Sequence, residues 1–218
     1  MRKALIIKEL REAIAPVGAA IVVYLWLVLS YTGIPILPLF SSSQVEIPFI
    51  NSSFILLFGT ISFFFAAVLG LKQSVWESMQ GTTLFLLHRP MDRRAIYGIK
   101  ILVGLSLYLV CSAVPILLFG AWAATPGTHA SPFQWSMTEG CWAIWLSMSL
   151  VYLGSFLSGI RPSHWLGSRL YPLAAAGVLA IFVNFIPFWW ILGVFVLLLV
   201  AGLFWSCVLL ATTTRDYP

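Results

Sequence analysis

The polar stretch between residues 72 and 100 carries the side chains of this chain that are best suited to binding chemistry. They are arginines and large apolar residues: Arg89, Arg93, Arg94, Trp76 and Phe85. Guanidinium groups make charge-assisted hydrogen bonds, and large apolar side chains anchor protein interfaces. The stretch therefore predicts a docking surface for another protein. The alternative is that the arginines only fix membrane topology and bind lipid phosphates.

The same stretch, which we call the coupling segment (residues 72–100), also has a predicted local structure. A short helix is expected over Trp76–His88, and it ends before Pro90 because the residue preceding a proline disfavours helical geometry. Asp92 predicts the N-cap of a second helix that starts at Arg93 and continues into the next apolar run. The segment is thus predicted to be a rigid helix–break–helix unit that passes force to a membrane helix.

Catalytic and phosphate-binding patterns are missing from the sequence. The triplet 98–100 lacks the earlier glycine and the following Ser or Thr of a phosphate-binding loop. His88, His129 and His164 share no metal-ligand spacing, and serines in the apolar runs have no His or Asp partner there. The chain is therefore predicted to be no enzyme and to hold no cofactor of its own.

Long apolar runs alternate with short polar gaps, and 61% of the residues are hydrophobic against 9% that are charged. Soluble domains average about 25% charged residues, so the bilayer must be the solvent of this chain. Runs of about 20 apolar residues predict an all-α integral membrane protein, one domain over residues 1–218, with six transmembrane helices. Their predicted bounds are Ala13–Gly33, Ser52–Leu71, Ile101–Ala124, Gly140–Ile160, Tyr171–Phe185 and Pro187–Thr212. The fifth is short because Asn184 and Pro187 mark a tight turn.

All twelve Lys and Arg residues fall in gaps that can lie on one side of a membrane. The gaps assigned to the other side contain only Glu46 and Glu139 as charged residues. Cytoplasmic loops collect Lys and Arg, so both termini are predicted to lie in the cytoplasm and the chain in the cell inner (cytoplasmic) membrane. The net charge of +5 is attributed to this bias and to anionic lipid, and no nucleic-acid partner is expected.

Residues 1–12 are predicted to form an interfacial helix on the inner leaflet. Ile6, Ile7 and Leu10 fall on one helical side, and most of the charged residues fall on the other. Leu5 breaks this pattern. The alternative is a plain extension of the first transmembrane helix.

Small and aromatic residues of the apolar runs suggest two further contacts. Ser62, Ala66 and Gly70 form a small-residue row, which serves either packing within the subunit or a dimer face. Trp189 and Trp190 are expected to anchor the outer membrane interface, with stacking on a cargo as the alternative.

The coupling segment resembles the corresponding segment in membrane subunits of type-2 ATP-binding-cassette transporters, the exporter-like permeases. Such permeases carry there an acidic residue, Gly-Thr, a Leu-rich stretch, a proline, a capping residue, an arginine and a later lysine. The matching positions are Glu77, Gly81, Thr82, Leu84–Leu87, Pro90, Asp92, Arg93 and Lys100. Asp92 stands where the family often has serine. The turn near Asn184–Pro187 is short for the re-entrant hairpin that the family often has before its last span.

This resemblance implies a permease subunit that pairs with a second permease subunit, in a homodimer or a heterodimer. Separate ATPase chains would bind the ATP and dock on the coupling segment. An apolar or amphipathic exported substrate fits predicted spans without Asp, Glu, Lys or Arg, which also lack the buried charges of proton-coupled transporters. The alternative is a membrane scaffold or assembly factor that recruits a cytoplasmic partner. The expected ATPase contacts are Trp76, Glu77, Gly81, Thr82, Phe85, Arg89, Pro90, Asp92, Arg93, Arg94 and Lys100.

Overall fold

The computed structural model describes residues 2–32, 48–50, 52–79, 92–127, 132–161 and 168–214. These residues form helices and turns, and no strand occurs among them. The α-helices are α1 (Arg2–Tyr31), α2 (Ser52–Met79), α3 (Arg93–Ala124), α4 (Glu139–Ser147), α5 (Ser149–Ile160), α6 (Tyr171–Val183) and α7 (Val194–Thr214). Single 3-10 turns lie at Trp135–Thr138 and Ser168–Leu170, and a π-helical turn at Trp189–Gly193 leads into α7.

Five helical stretches in the described part of the chain are long and apolar enough to cross a membrane. They are Arg2–Tyr31, Ser53–Trp76, Arg93–Ala124, Trp135–Ile160 and Trp189–Thr212. The chain is therefore an all-helical, membrane-embedded protein. These stretches correspond to five of the six predicted spans, and the fourth is divided into α4 and α5 at a single turn residue, Met148. The remaining predicted span corresponds to the shorter apolar stretch Ser168–Val183.

α6 is short because the chain turns back beside the middle of its neighbour. At its start, the backbone N–H of Leu173 donates to Oγ of Ser158 near the end of α5 (3.0 Å). Just past its end, Nδ2 of Asn184 donates to Oγ of Ser147, where α4 ends (2.9 Å). A helix of 13 residues measures about 20 Å, whereas the hydrocarbon core of a bilayer is about 30 Å thick. The predicted tight turn is confirmed, but α6 alone covers only part of the bilayer depth.

α5 is the central helix of the bundle, because all twelve of its residues are buried and it packs against α2, α6 and α7. The small residues of α2 allow a close approach. A Cβ atom on Gly70 would lie only 2.6 Å from the carbonyl oxygen of Tyr152. Ser62 and Ala66 are fully buried, and Oγ of Ser155 donates to the Ala66 carbonyl (3.3 Å). The small-residue row of α2 is thus occupied by packing within the subunit.

α1 is one unbroken helix, so residues 2–12 extend the first apolar helix and do not form a separate interfacial helix. Its buried side at this end contains Leu5, Glu9 and Ala13. Ile6, Ile7 and Leu10, which the sequence pattern groups together, are exposed. The predicted separate helix is wrong because Leu5, Glu9 and Ala13, spaced four residues apart, continue the buried face of the helix.

Aromatic side chains pack together at the end of the bundle where α1 ends and α2 begins. The ring centroid of Phe119 lies 4.6 Å from that of Phe54 and 4.8 Å from that of Phe49. Phe49 has a positive φ of 64°, an uncommon conformation for a residue other than glycine, and its side chain is buried in the cluster. The opposite end, where α1 and α3 begin and α2 and α5 end, is called the basic end below.

Candidate functional site

The structure describes the two ends of the coupling segment. Residues 80–91 lie outside the described residues, and with them the predicted partner contacts Gly81, Thr82, Phe85, Arg89 and Pro90. Trp76 and Glu77 belong to the last turns of α2. The helix predicted to start at Trp76 is therefore, in its described part, a continuation of α2. Trp76 is 48% exposed and lies at the basic end.

Asp92 caps α3, as the sequence predicts. Its Oδ1 accepts a hydrogen bond from the backbone N–H of Arg94 (3.3 Å), which satisfies one of the unpaired donors of the first turn. The helix then continues from Arg93 to Ala124. The second half of the predicted helix–break–helix unit is thus confirmed, and it is continuous with an apolar helix that can cross a membrane.

Arg93 and Arg94 are exposed on the first turn of α3. The positive end of the helix dipole lies at this terminus, so two cations there do not help α3 to form. Asp92 offsets part of this repulsion through its cap. The helix dipole therefore does not account for the two arginines at this position.

Lys100 lies inside the bundle, whereas Trp76, Asp92, Arg93 and Arg94 are exposed. Its Nζ is 3.1 Å from Oε1 of Glu9 on α1, and the two side chains are 2% and 1% exposed. The same ammonium group donates to the carbonyl oxygen of Gln73 on α2 (3.4 Å). Lys100 is therefore not available for a surface contact in this structure. Its charge is used to join α3 to α1 and α2.

Two neutral side chains extend this ion pair into what we call the polar cluster (Glu9, Gln73, Lys100 and Tyr152). Nε2 of Gln73 donates to Oε2 of Glu9 (3.4 Å), and the Tyr152 hydroxyl donates to Oε1 of Gln73 (2.6 Å). A Cβ atom on Gly104 would collide with that amide oxygen and that hydroxyl, so glycine leaves the space in which they meet. The cluster connects α1, α2, α3 and α5 at one level of the bundle.

The energetics of the polar cluster favour a positioning role. An isolated charge in a low-dielectric interior is very costly, but Glu9 and Lys100 sum to zero charge and share hydrogen-bond partners. A buried ion pair often adds little net stability compared with apolar residues of similar size, whereas removal of one partner is strongly destabilising. Other relative arrangements of α1 and α3 that separate the two charges would leave both of them buried and unpaired.

Lys72 makes a second connection between helices near the same level. Pro16 lies inside α1 and has no N–H group, so the carbonyl of Glu12, four residues earlier, lacks its usual helical donor. Nζ of Lys72 on α2 donates to that carbonyl oxygen (2.6 Å). The carboxylate of Glu12 pairs instead with Lys8, one turn away on the same helix (3.5 Å). Lys72 of α2 thus supplies the hydrogen-bond donor that Pro16 of α1 lacks.

The arginines that follow α5 have a different environment. Arg169 donates from Nε to the carbonyl of Ser158 (3.2 Å) and from Nη2 to that of Gly159 (2.9 Å). These are among the last carbonyls of α5, which have no partner within the helix. Arg169 thus caps the C-terminus of α5, which gives it a structural role.

Sequence reasoning missed the polar cluster, although one signal was present. Glu9 lies midway between Leu5 and Ala13, which share its helical face, so a buried Glu9 requires a cation from another helix. Among the described residues, no group of three or more His, Cys, Asp and Glu could hold a metal ion. Comparison of the chain with protein-family models, curated proteins and solved structures gives no match.

Proposed function

We propose that this chain is the permease subunit of an ATP-driven transporter of the ATP-binding-cassette type, and that it exports an apolar or amphipathic substrate. A second permease subunit and separate ATPase chains complete the transporter. The ATPase docks on the coupling segment. In this proposal the basic end and both termini face the cytoplasm, and α6 with its flanking turns makes the fifth of six passes.

The proposal rests above all on the physical continuity of α3. Its first turn is capped by Asp92 and exposes Arg93 and Arg94 at the basic end. Two turns further on, about 10 Å along the same helix, Lys100 is held by Glu9 and Gln73. A force applied to the first turn is therefore passed to α1 and α2 without a flexible joint between them. Coupling to an ATPase requires such a connection.

The arginines support a partner of opposite charge. They lie at a helix end that disfavours cations, so contact with acidic side chains of another protein would offset this cost. Arginine also forms bidentate hydrogen bonds with carboxylates, which fixes the geometry of a contact through which force must pass. An acidic groove on the ATPase is the expected counterpart.

An apolar or amphipathic substrate agrees with the position of the buried charges. Glu9 and Lys100 lie outside the predicted spans Ala13–Gly33 and Ile101–Ala124 and neutralise each other. They are therefore placed to hold the basic end together, and they do not form a series of ionisable groups across the membrane. An uncharged path suits a cargo that leaves water easily.

Purification of the native complex from membranes, through a tag on this chain, tests the proposal. We expect an ATP-binding-cassette ATPase to copurify, with ATP hydrolysis that the isolated chain lacks. The double variant Arg93→Glu/Arg94→Glu should lose the ATPase. The matched control Arg2→Glu/Lys3→Glu reverses two exposed charges at the start of α1 and should keep it. Thiol labelling must first establish that each variant inserts normally.

Three results would contradict the proposal. The first is ATP hydrolysis by a verified single-chain preparation. The second is a native complex that contains no ATPase. The third is full retention of the ATPase by the α3 variant together with its loss from the α1 control, which would move the docking surface to α1.

A further inference from the structure

A groove between α1 and α2 opens toward the surroundings of the bundle. Its inner part has a volume of about 300 Å³ and is lined by apolar residues that include Ala19, Val23 and Phe64. Its outer part, about 470 Å³, continues to Lys72 and Trp76 at the basic end. Val68 lines both parts, so they are neighbours along α2 and together make a groove that is mainly apolar, with a cation at one end.

Lys72 has hydrogen-bonding capacity that α1 does not use. An ammonium group has three donors, and one of them goes to the carbonyl oxygen of Glu12. Within the described part of the chain, Lys72 has no second hydrogen-bond partner. Trp76, half exposed one turn further along α2, is of the residue type that favours the headgroup level of a membrane. A headgroup at this position would meet a cation and an indole ring.

The charge balance at the basic end favours an anionic headgroup. The described starts and ends of α1, α2 and α3 bring eight lysines and arginines to this end, against four acidic residues counting the Asp92 cap. Two of these acids, Glu9 and Glu12, pair with Lys100 and Lys8. The Glu12 carboxylate also lines the groove, and its pairing with Lys8 reduces its repulsion of an anion. The local potential is therefore positive.

We propose that this groove binds one acyl chain of an anionic phospholipid from the leaflet at the basic end, with its headgroup on the Lys72 ammonium group. The groove follows α2 from Thr60 to Trp76, about 24 Å of helix. A single hydrocarbon chain fits. The site needs only the membrane location of the chain and does not depend on the proposed transport function.

Native mass spectrometry of the delipidated chain in detergent tests whether the groove prefers an anionic headgroup. The probes are dioleoyl phosphatidylglycerol and dioleoyl phosphatidylcholine, which have the same acyl chains. We expect the first bound phosphatidylglycerol to bind about fivefold more tightly, the effect of one lysine near an anionic headgroup. Lys72→Gln keeps a donor for the Glu12 carbonyl but should remove this preference. Arg94→Gln removes an equal charge outside the groove and should keep it.

A second pair of variants tests the groove. Ala19→Phe fills its inner part and should weaken binding of both lipids by the same factor. Ala175→Phe places the same ring on an exposed position of α6 and should leave both affinities unchanged. Equal binding of the two lipids by the wild type would overturn the headgroup assignment. If Lys72→Gln and Arg94→Gln lost the preference for phosphatidylglycerol to the same extent, this preference would come from general surface charge and not from Lys72. If Ala19→Phe left the affinity for both lipids unchanged, the assignment of the acyl chain to this groove would be wrong.

Discussion

Oε1 of Glu9 and Nζ of Lys100 lie 3.1 Å apart at a point where α1, α2, α3 and α5 meet. Each side chain would be a buried, uncompensated charge without the other. The start of α3, which the coupling segment leads into, is therefore fixed to the first helix of the chain. The pair gives the basic end of the bundle a defined geometry, and its consequences can be measured.

Removal of either charge should be costly, whereas removal of both should not. Glu9→Leu or Lys100→Met alone is expected to lower the free energy of unfolding by about 3–5 kcal/mol, because the remaining charge stays buried. The double variant Glu9→Leu/Lys100→Met should recover most of this loss. Reversible unfolding in detergent measures these values. Lys8→Met, which breaks a partly exposed pair, is the control and should cost about 1 kcal/mol or less. Additive losses in the double variant would mean that the two charges do not interact.

The Lys72 ammonium group should be needed only while Pro16 is present. Lys72→Met removes the donor for the Glu12 carbonyl and should cost about 1–3 kcal/mol of unfolding free energy, because a part-buried acceptor loses a charged donor. Pro16→Ala restores a backbone N–H at the position that normally pairs with this carbonyl. The cost of Lys72→Met should therefore fall when Pro16→Ala is present. A double-mutant cycle with no coupling would disprove the link.

Asp92 should act through its hydrogen-bond acceptor and not through its charge. Asp92→Ala is expected to lower stability by about 0.5–2 kcal/mol, whereas Asp92→Ser should be tolerated because a hydroxyl also caps a helix. Hydrogen exchange of the amides at the start of α3 reports this locally. If serine were as harmful as alanine, the carboxylate would have another role.

Two glycine-to-alanine changes should differ sharply. A methyl group on Gly70 would press against the Tyr152 backbone, so Gly70→Ala is expected to destabilise the α2–α5 contact by about 1–3 kcal/mol. Gly18 on α1 has no atom within 4 Å of the added carbon, so Gly18→Ala should be neutral or mildly stabilising. Thermal unfolding of both variants makes the comparison. Equal behaviour would contradict the close contact of α2 with α5.

The orientation of the chain can be tested with single cysteines. In a background with the exposed Cys207 replaced by serine, Gln134→Cys should react with an impermeant thiol reagent added outside the cell. Ala4→Cys, at the basic end, should react only after the membrane is opened. This expectation follows from the one-sided distribution of Lys and Arg. The reverse labelling pattern would place the basic end outside.

Local patterns in the sequence predicted local structure well. Asp92 caps α3 as expected, because capping depends on one side chain and the next few backbone groups. Five of the six spans that the apolar runs predicted are membrane-length helices, since hydropathy measures length and composition. α6 is shorter than a full span because the chain turns back beside Ser147. That turn depends on packing against α4 and α5, which a hydropathy profile does not describe.

The polar cluster and the buried face of α1 could not be predicted from local sequence patterns. In a membrane protein the lipid-facing side of a helix is as apolar as the core-facing side, so Ile6, Ile7 and Leu10 mark no core. Glu9 and Lys100 meet only after three helices have assembled. Their pairing is a property of tertiary structure, as is the use of Lys72 to complete a hydrogen bond that Pro16 leaves open.

The order in which the ribosome makes these residues leads us to predict that the Glu9–Lys100 pair matters during biogenesis. Glu9 is synthesised first and Lys72 next, and Lys100 follows only at the start of α3. A nascent chain that ends before Lys100 has an acidic side chain on the helix face that later becomes buried. The hairpin of α1 and α2 therefore stays incomplete until α3 enters the membrane, and quality-control proteases should act on chains stalled at that stage.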